Sequence, residues 1–344
     1  MKTFKNILIV RTDRIGDVVL TVPAVRAVRR AFPDARISFW VAPETKDIVD
    51  GLPFIDEVLT KKRKNGLREY LDFLFLLRRK KFDLAVIYHT KRHTNTACFL
   101  AGIPVRLGYC DNKLGFLLTH PVEDRRHFGE KHEAEYCLDL LRTIGIEDHD
   151  LKLELALQKD AEVWAERFVA EHAGKGLRLV AVHPDASCPT RRWPVLHFAA
   201  LMDRLSMEAG VKVVLVGAPS AVPLAREMQG LLKCDILDLT GQTTLAQLTS
   251  LLSRCALVVS NDTGPVHVAA ALGIPTVTIF MRQQPGINPQ RWKPLGDKSV
   301  TLMNKPGEEI MVDRHSRVIS SRFDSITVEE VFQTSRTLLS RFNS

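Results

Sequence analysis

Several features that would assign this chain of 344 residues to a familiar class are missing from it. No apolar run approaches the roughly 20 residues that a helix needs to cross a bilayer. The six cysteines are scattered, without a CxxC pair or histidines at ligand spacing, which argues against a disulfide framework and a structural zinc site. Residues 1–5 lead into a short apolar stretch with no small-residue cleavage site after it, so we expect a cytoplasmic protein without a signal peptide.

The common nucleotide-binding loops are missing as well. Neither GxGxxG nor GxxxxGK[ST] occurs, so a dinucleotide-binding or P-loop protein loses its main support. Asp148 and Asp150 form the one Asp-x-Asp pair of the kind that holds a divalent metal on a nucleotide sugar. Because that pair follows a helical segment in a polar stretch, we interpret both residues as solvated loop acids. We therefore expect no metal and no cofactor.

Positive charge is concentrated in one segment. The formal net charge is +8, and residues 61–92 carry an excess of that same size, with eleven basic residues against three acids. Such a patch attracts an anionic partner, which is nucleic acid, phosphorylated lipid or an acidic sugar; a solvated helix face explains it equally well. The basic residues are Lys61, Lys62, Arg63, Lys64, Arg68, Arg78, Arg79, Lys80, Lys81, Lys91 and Arg92.

Short apolar runs alternate with amphipathic segments along the chain, which predicts a parallel α/β architecture. In the first half, strands are predicted at 6–10, 36–41 and 83–88, with helices near 17–31, 66–80, 95–101 and 131–144. In the second half, strands are predicted at 178–183, 212–217, 256–260 and 276–280, with helices near 194–209, 221–232, 245–253 and 265–272.

The two halves begin alike, each with an apolar strand, a polar loop and a helix. This pattern predicts two doubly wound domains, residues 1–157 and 177–325, separated by the charged, Ala-rich segment 158–176. Their loops at the carboxyl ends of the strands would line a cleft between the domains. We expect the last segment, 326–344, to form an amphipathic helix that packs back at the junction.

The first polar loop, residues 11–17, reads Arg-Thr-Asp-Arg-Ile-Gly-Asp. Gly16 permits a tight turn, and Asp17 falls at the start of the next helix. Asp17 fits two roles, a helix N-cap or a general base that removes a proton from an attacking hydroxyl. Asp13 is a competing carboxylate, and spacing alone slightly favours the N-cap role for Asp17.

Two loops of the second half have the composition of an anion site. Asp262, Thr263 and Gly264 follow an apolar strand and precede a helix that carries His267, an arrangement that suits a diphosphate, although helix capping alone explains the Asp and the Thr. Residues 183–194 contain Ser187, Thr190, Arg191, Arg192 and Trp193, and the hydroxyls and arginines of that loop suit a pyrophosphate leaving group.

These motifs together resemble the ADP-heptose:lipopolysaccharide heptosyltransferases of glycosyltransferase family 9. The resemblance covers nearly the whole chain and rests on 11–17, Leu-Ala-Gly-Ile-Pro at 100–104, Arg-Leu-Gly at 106–108 and His132. It rests further on Arg-Trp-Pro at 192–194, Leu-Thr-Gly at 239–241, and Asp-Thr-Gly at 262–264 with His267. The family has the GT-B fold, two Rossmann-like domains that face each other across a cleft.

The resemblance implies an inverting, metal-independent transfer from ADP-heptose to a Kdo or heptose of the lipopolysaccharide inner core. Asp17 would be the catalytic base. The implied donor-binding residues are Ser187, Arg191, Arg192, Gly241, Asp262, Thr263, Gly264 and His267. The expected acceptor-binding residues are Arg14, Lys61, Lys64, Arg92 and Arg125. The expected partners are the nucleotide sugar, an anionic core acceptor and the cytoplasmic face of the inner membrane, and we expect no nucleic acid.

The chain departs from the family pattern on the donor side. Arg191 replaces the usual Lys, Asp185 replaces the glycine after His-Pro, and 281–283 read Met-Arg-Gln where Gly-Pro-Thr is common. An acidic residue expected soon after 214–217 is missing, because 220–222 read Ser-Ala-Val. These departures leave open a different nucleotide sugar, a protein acceptor or a non-catalytic nucleotide-sugar-binding homologue; a Rossmann oxidoreductase is a distant alternative.

Overall fold

The computed structural model describes residues 3–61, 66–110, 114–172, 176–304, 311–312, 318–320 and 325–342. The chain divides into two compact units, Met1–Ala156 and Leu157–Ser344. Each unit has its own six-stranded parallel sheet flanked by helices, which confirms the expected α/β class. No helix in the described part of the chain combines the length and the apolar character needed to cross a bilayer.

The sheet of the first unit has the strand order β3-β2-β1-β4-β5-β6. Its strands are β1 (Asn6–Arg11), β2 (Arg36–Val41), β3 (Glu57–Thr60), β4 (Leu84–Ile87), β5 (Val105–Cys110) and β6 (His120–Glu123). Its helices are α1 (Ile15–Ala31), α2 (Leu67–Arg79), α3 (Arg92–Leu100) and α4 (Glu133–Arg142).

The sheet of the second unit has the order β12-β11-β10-β7-β8-β9. Its strands are β7 (Arg178–His183), β8 (Val211–Leu215), β9 (Leu237–Asp238), β10 (Leu257–Asn261), β11 (Thr276–Phe280) and β12 (Ser299–Met303). Met311–Val312 (β13) and Val318–Ser320 (β14) form an antiparallel pair. The helices are α5 (Lys159–His172), α6 (Val195–Ser206), α7 (Val222–Gln229), α8 (Leu245–Leu252), α9 (Gly264–Ala271), α10 (Pro289–Trp292) and α11 (Val328–Arg341).

The central strands are the ones that the sequence identified. The apolar residues of β1, β7 and β10 are buried, as expected for parallel strands covered by helices on both faces. Sequence reasoning missed the strands nearer the sheet edges, among them β3, β6 and β12. These strands are only partly buried and carry polar residues, so they show no continuous apolar run.

Each sheet has one point where the direction of winding reverses. In the first unit it lies between β1 and β4, and in the second unit between β7 and β10. Open α/β sheets bind ligands beside the carboxyl ends of the strands at such a switch point. The loops that follow β1 and β4, and those that follow β7 and β10, are therefore where each unit is expected to bind a ligand.

Helix α11 packs within the second unit. Val331, Phe332, Leu338 and Leu339 of α11 join the core that also contains residues of α6. The expected return of segment 326–344 to the junction between domains stays a prediction.

Candidate active site

A buried arginine organises the switch point of the first unit. Arg11, the last residue of β1, is 1% exposed, and its Nε donates a hydrogen bond to Asp13 Oδ1 at 2.9 Å. Its Nη2 donates to two further carboxylates, Asp17 Oδ1 and Glu133 Oε1, the latter at 2.9 Å. Glu133 is the first residue of α4 and is fully buried. One guanidinium thus holds both carboxylates of the 11–17 motif in place.

The structure rejects the N-cap interpretation of Asp17. Helix α1 begins at Ile15, and its N-cap is Arg14, whose side chain makes no capping hydrogen bond. Asp17 is the third residue of α1, and its carboxylate binds Arg11. Sequence reasoning missed Arg11 and Glu133, although a charged residue that ends an apolar strand beside an aspartate is a signal for Arg11.

The surroundings of Asp17 raise the pKa of its carboxyl group to about 6, above the ordinary value of 3.8. Burial is the largest cause, and the negative charge of Asp13 adds to it. Arg11 opposes the shift, while Glu133 adds to it. A carboxylate with a pKa near the working pH accepts a proton efficiently from a reacting hydroxyl. Asp17 therefore has the electrostatic properties of a general base.

A cavity of about 650 Å³ lies at the same switch point. Asp13 is among its lining residues and Asp17, whose side chain is 14% exposed, is not. Thr12 Oγ1 lies 3.0 Å from His89 Nδ1, which orients the His89 ring from the loop after β4. The cavity is lined by Asp13, Arg14, Ile15, Ala42, Pro43, Glu44, Thr45, His89 and Lys91.

Of the expected acceptor-binding residues that the structure describes, Arg14 alone lines this cavity. Lys61 Nζ lies over the ring of Tyr70, 5.3 Å from its centroid, and the Arg125 guanidinium lies over Phe128 at 5.7 Å. Arg92 is the exposed first residue of α3. Lys64 lies outside the described residues, as do Lys62 and Arg63 of the basic segment. His89 and Lys91, which do line the cavity, were missed as site residues.

In the second unit, Asn261 joins the loops after β7 and β10. Its amide nitrogen donates to the carbonyl oxygen of Pro184 at 2.6 Å, and its Oδ1 accepts the backbone N–H of Trp193 at 2.9 Å. The Trp193 indole N–H donates to the carbonyl oxygen of Ile326 at 2.9 Å. The loop of 183–194 is therefore fixed at both ends.

The two arginines of this loop are paired with acids. Arg191 Nη2 donates to the backbone carbonyl of Asp262 and to its Oδ2, the latter at 2.6 Å. Arg192 Nη2 lies 2.6 Å from Asp185 Oδ1. The unusual aspartate at 185 thus neutralises a neighbouring arginine. Because both positive charges are compensated, these arginines add little net charge toward a bound diphosphate.

The start of α9 is not capped by a side chain. The hydroxyl of Thr263, its N-cap residue, lies 3.1 Å from Ser260 Oγ and 3.2 Å from His183 Nδ1 instead. Thr263 thus occupies the N-cap position without a capping hydrogen bond from its side chain, and the Asp262 carboxylate binds Arg191. Burial lowers the pKa of His183 to about 4, against the opposing charge of Asp185, and the ring is neutral at pH 7.

The other expected donor-binding residues occupy different settings. Ser187 is exposed in the loop after β7, whereas His267 is buried within α9. Gly241 has φ +73°, and a Cβ there would lie 3.1 Å from Pro219 Cα, so chain geometry alone requires glycine.

Arg282 is a cation that sequence reasoning recorded only as a departure. It follows β11, its Nε is buried, and no hydrogen-bond partner for that nitrogen occurs among the described residues. Although burial raises the pKa of the Cys188 thiol, hydrogen bonds from Thr190 and the charges of Arg282 and Arg191 lower it overall. The charge of Arg282 therefore acts on the loop after β7.

Asp148 and Asp150 lie in the loop after α4, and both side chains are partly exposed. Asp148 and Asp150 both bind Arg30, at 3.1 Å and 2.8 Å, and Asp150 also binds Arg26 at 3.0 Å. They are loop acids, as expected, and they pair with arginines in addition to contacting solvent. Within the described ranges, no group of three or more His, Cys, Asp or Glu side chains is placed to hold a metal ion.

Comparison with known proteins identifies relatives of the whole chain. The family model described as glycosyltransferase family 9 (heptosyltransferase) matches residues 73–319. Lipopolysaccharide heptosyltransferase 2 of Escherichia coli K12 is 25% identical, over 83% of this chain and 85% of its own length.

Solved structures match as well. A family 9 glycosyl transferase of Veillonella parvula has a TM-score of 0.89 at 22% identity, covering 99% of this chain and 98% of its own. The E. coli ADP-heptose lps heptosyltransferase II has a TM-score of 0.81 at 23% identity, covering 98% and 100%. These likenesses confirm the expected GT-B fold.

Proposed function

The chain belongs to glycosyltransferase family 9, and from that premise we propose that it transfers heptose from ADP-heptose to an inner-core lipopolysaccharide acceptor with inversion of configuration. The observation that carries the proposal is Asp17, a carboxylate held by buried Arg11 and poised to accept a proton near pH 6. The names of the E. coli relatives, which specify ADP-heptose and lipopolysaccharide, support the donor and the acceptor class.

In the proposed reaction, Asp17 takes the proton from an acceptor hydroxyl. The hydroxyl oxygen forms a bond to the anomeric carbon of the heptose from the face opposite ADP. The bond between that carbon and the diphosphate oxygen breaks, and its electron pair leaves with ADP. Arg11 fixes the orientation of the carboxylate before the reaction, so that little conformational entropy is lost when the carboxylate accepts the proton.

We assign the acceptor to the cavity of the first unit. Arg14 and Lys91 supply positive charge to its lining, which suits the carboxylate of Kdo or a phosphate on the core. His89, oriented by Thr12, adds a further polar contact. Asp13 and Glu44 line the same cavity and suit sugar hydroxyls.

We assign the diphosphate of the donor to the second unit. The uncapped start of α9 offers backbone N–H groups and the positive end of the helix dipole. Arg191 and Arg192, being paired with acids, hold the loops in position, and Arg282 supplies net positive charge. Ser187 offers an exposed hydroxyl. These groups would neutralise the leaving ADP without a metal ion.

The test compares wild type with Asp17→Asn and Asp13→Asn. We expect all three proteins to bind ADP-heptose with similar affinity by calorimetry, because the donor is assigned to the second unit. We expect Asp17→Asn to lose at least about a hundredfold in the rate of ADP release with a core acceptor, the usual contribution of a general base. If Asp13→Asn is the inactive variant instead, Asp13 is the base.

A second candidate is a related transferase with another donor or a protein acceptor, favoured by Arg282 at a position where the family usually lacks a cation. A panel of ADP-, UDP- and GDP-sugars, scored by nucleotide release, separates the two. A non-catalytic homologue would show no release with any member of the panel.

We also propose that the protein acts at the cytoplasmic face of the inner membrane.

A further inference from the structure

Helix α2 carries apolar side chains on two faces. Phe73 and Leu77 are buried in the core of the first unit. On another face, Leu67, Leu71 and Phe75 are 74%, 41% and 60% exposed. Their spacing of four residues places the three side chains in one stripe along the helix. An amphipathic helix of a monomeric domain normally turns polar residues to this side, so the stripe is unpartnered within the described part of the chain.

The neighbouring helix also carries exposed apolar residues. Helix α3 contacts α2, and its buried residues Ala97 and Cys98 share the core with Phe73 and Leu77. The last residues of α3, Phe99 and Leu100, are 46% and 43% exposed. We call the exposed stripe of α2, formed by Leu67, Leu71 and Phe75, the α2 surface.

Cations accompany the stripe. Arg68, Arg78 and Arg79 lie on α2, and all three are exposed. Within the described part of the chain none of the three forms an ion pair, whereas Lys80, next in sequence, binds Glu57 at 2.6 Å. These arginines are therefore available to an external anion.

We propose that the α2 surface docks on an anionic lipid bilayer, with Leu67, Leu71 and Phe75 in the interfacial layer and the three arginines on lipid headgroups. Apolar side chains beside basic ones are the composition of helices that lie in the membrane interface. A second copy of the chain fits less well, because a two-fold contact would place like arginines against each other.

The location of α2 suits an enzyme whose acceptor is embedded in a membrane, an argument that rests on the proposed function. Leu67 follows β3, so α2 starts at the edge of the sheet where the strands end, the edge that also carries the cavity. An enzyme docked by this helix would meet an acceptor that is anchored in the same bilayer.

The experiment uses full-length protein and vesicles that contain neither donor nor acceptor. Co-sedimentation is measured with phosphatidylethanolamine–phosphatidylglycerol vesicles and with neutral phosphatidylcholine vesicles, at physiological salt. We expect binding to the anionic vesicles only, and roughly thirtyfold weaker binding for Arg78→Gln/Arg79→Gln, given the contribution of each basic residue at an anionic surface. Leu71→Asn/Phe75→Asn should weaken binding at least tenfold, because apolar insertion is lost.

Leu196→Asn is the matched control, because Leu196 is an exposed leucine, 64% accessible, on α6 of the second unit. It should bind vesicles like wild type. Equal binding of wild type and both double variants, or binding to neither vesicle, overturns the proposal. A dimer in sedimentation velocity that Leu71→Asn/Phe75→Asn dissociates would show instead that the surface is an interface between copies.

Transfer to a water-soluble, delipidated acceptor is measured in parallel. The double variants should retain wild-type rates there, because the substituted residues lie outside the proposed site. Loss of vesicle binding with intact transfer would show that the substitutions impair docking and leave the transfer reaction unaffected. Absence of transfer in every protein, with vesicle binding intact, would refute the proposed function and leave the docking standing.

Discussion

Replacement of Glu133 by glutamine tests whether the buried carboxylate tunes Asp17. Gln keeps the shape of Glu and an oxygen that accepts the N–H of Arg11, but it carries no charge. In wild type the negative charge of Glu133 helps to raise the pKa of Asp17 to about 6. Without that charge, the ionised form of Asp17 experiences less repulsion, while Arg11 still stabilises it. The pKa of Asp17 should therefore fall.

The size of the shift follows from the shared guanidinium nitrogen. Asp17 Oδ1 and Glu133 Oε1 both accept from Arg11 Nη2, which places them about 5 Å apart. Two unit charges at that distance interact with about 3 kcal/mol at an effective dielectric constant near 20, which equals about two pKa units as an upper limit. We expect a fall of about one to two units.

The assay is the pH dependence of kcat/KM between pH 4.5 and 8.5, followed by ADP release. Because the base must be deprotonated, wild type should lose activity about tenfold per pH unit below its midpoint near pH 6. The midpoint for Glu133→Gln should lie near pH 4 to 5. Glu135→Gln is the control, because Glu135 is an exposed residue of the same helix that accepts the His132 backbone N–H and does not contact Arg11. An acid limb that stays in place or moves upward in Glu133→Gln would refute the reasoning.

Three further outcomes are expected. Arg282→Gln should weaken ADP binding about tenfold or more in calorimetry. Arg192→Gln should weaken it less, because Asp185 already compensates the charge of Arg192. Equal effects of the two substitutions would contradict this expectation. The carboxyl of Asp17 has a pKa raised from 3.8 to about 6 in the folded state, so its stabilisation is present below pH 3.8 and lost as pH rises through 6. In thermal unfolding, the free energy of unfolding of Asp17→Asn should therefore exceed that of wild type at pH 7.5, by up to about 3 kcal/mol, and not at pH 4. The pKa of His183 is lowered from 6.5 to about 4, so its contribution to the free energy of unfolding is present above pH 6.5 and lost as pH falls toward 4. His183→Asn should remove this acid-induced loss of about 3 kcal/mol. An unchanged dependence of Tm on pH in His183→Asn would show that the ring does not titrate.

Local patterns in the sequence predicted most of the fold. The apolar runs of β1, β7 and β10 located the central strands, and the loops after them were the right places to look for polar side chains. The partners of those side chains were beyond prediction, because they are distant in sequence. Glu133 lies 122 residues from Arg11, and Asp262 lies 71 residues from Arg191. No local pattern shows that such residues meet.

Helix α2 illustrates a second limit. Its sequence shows an apolar periodicity, but the periodicity does not reveal which apolar residues the rest of the unit covers. Phe73 and Phe75 are alike in the sequence, yet one is buried and the other exposed. Only the position of the helix on the sheet separates them.

The hydrogen bond from Trp193 to Ile326 has a practical consequence for work with shortened chains. The loop that carries Arg191 and Arg192 is anchored through the Trp193 indole to a carbonyl just before α11. Removing the carboxyl-terminal residues from Ile326 onward would leave that indole N–H without its acceptor and uncover the core that α11 protects. A truncated enzyme would then lose nucleotide affinity although every residue proposed to contact the nucleotide is still present. Protease sensitivity near residue 190 would report the defect before any assay of transfer.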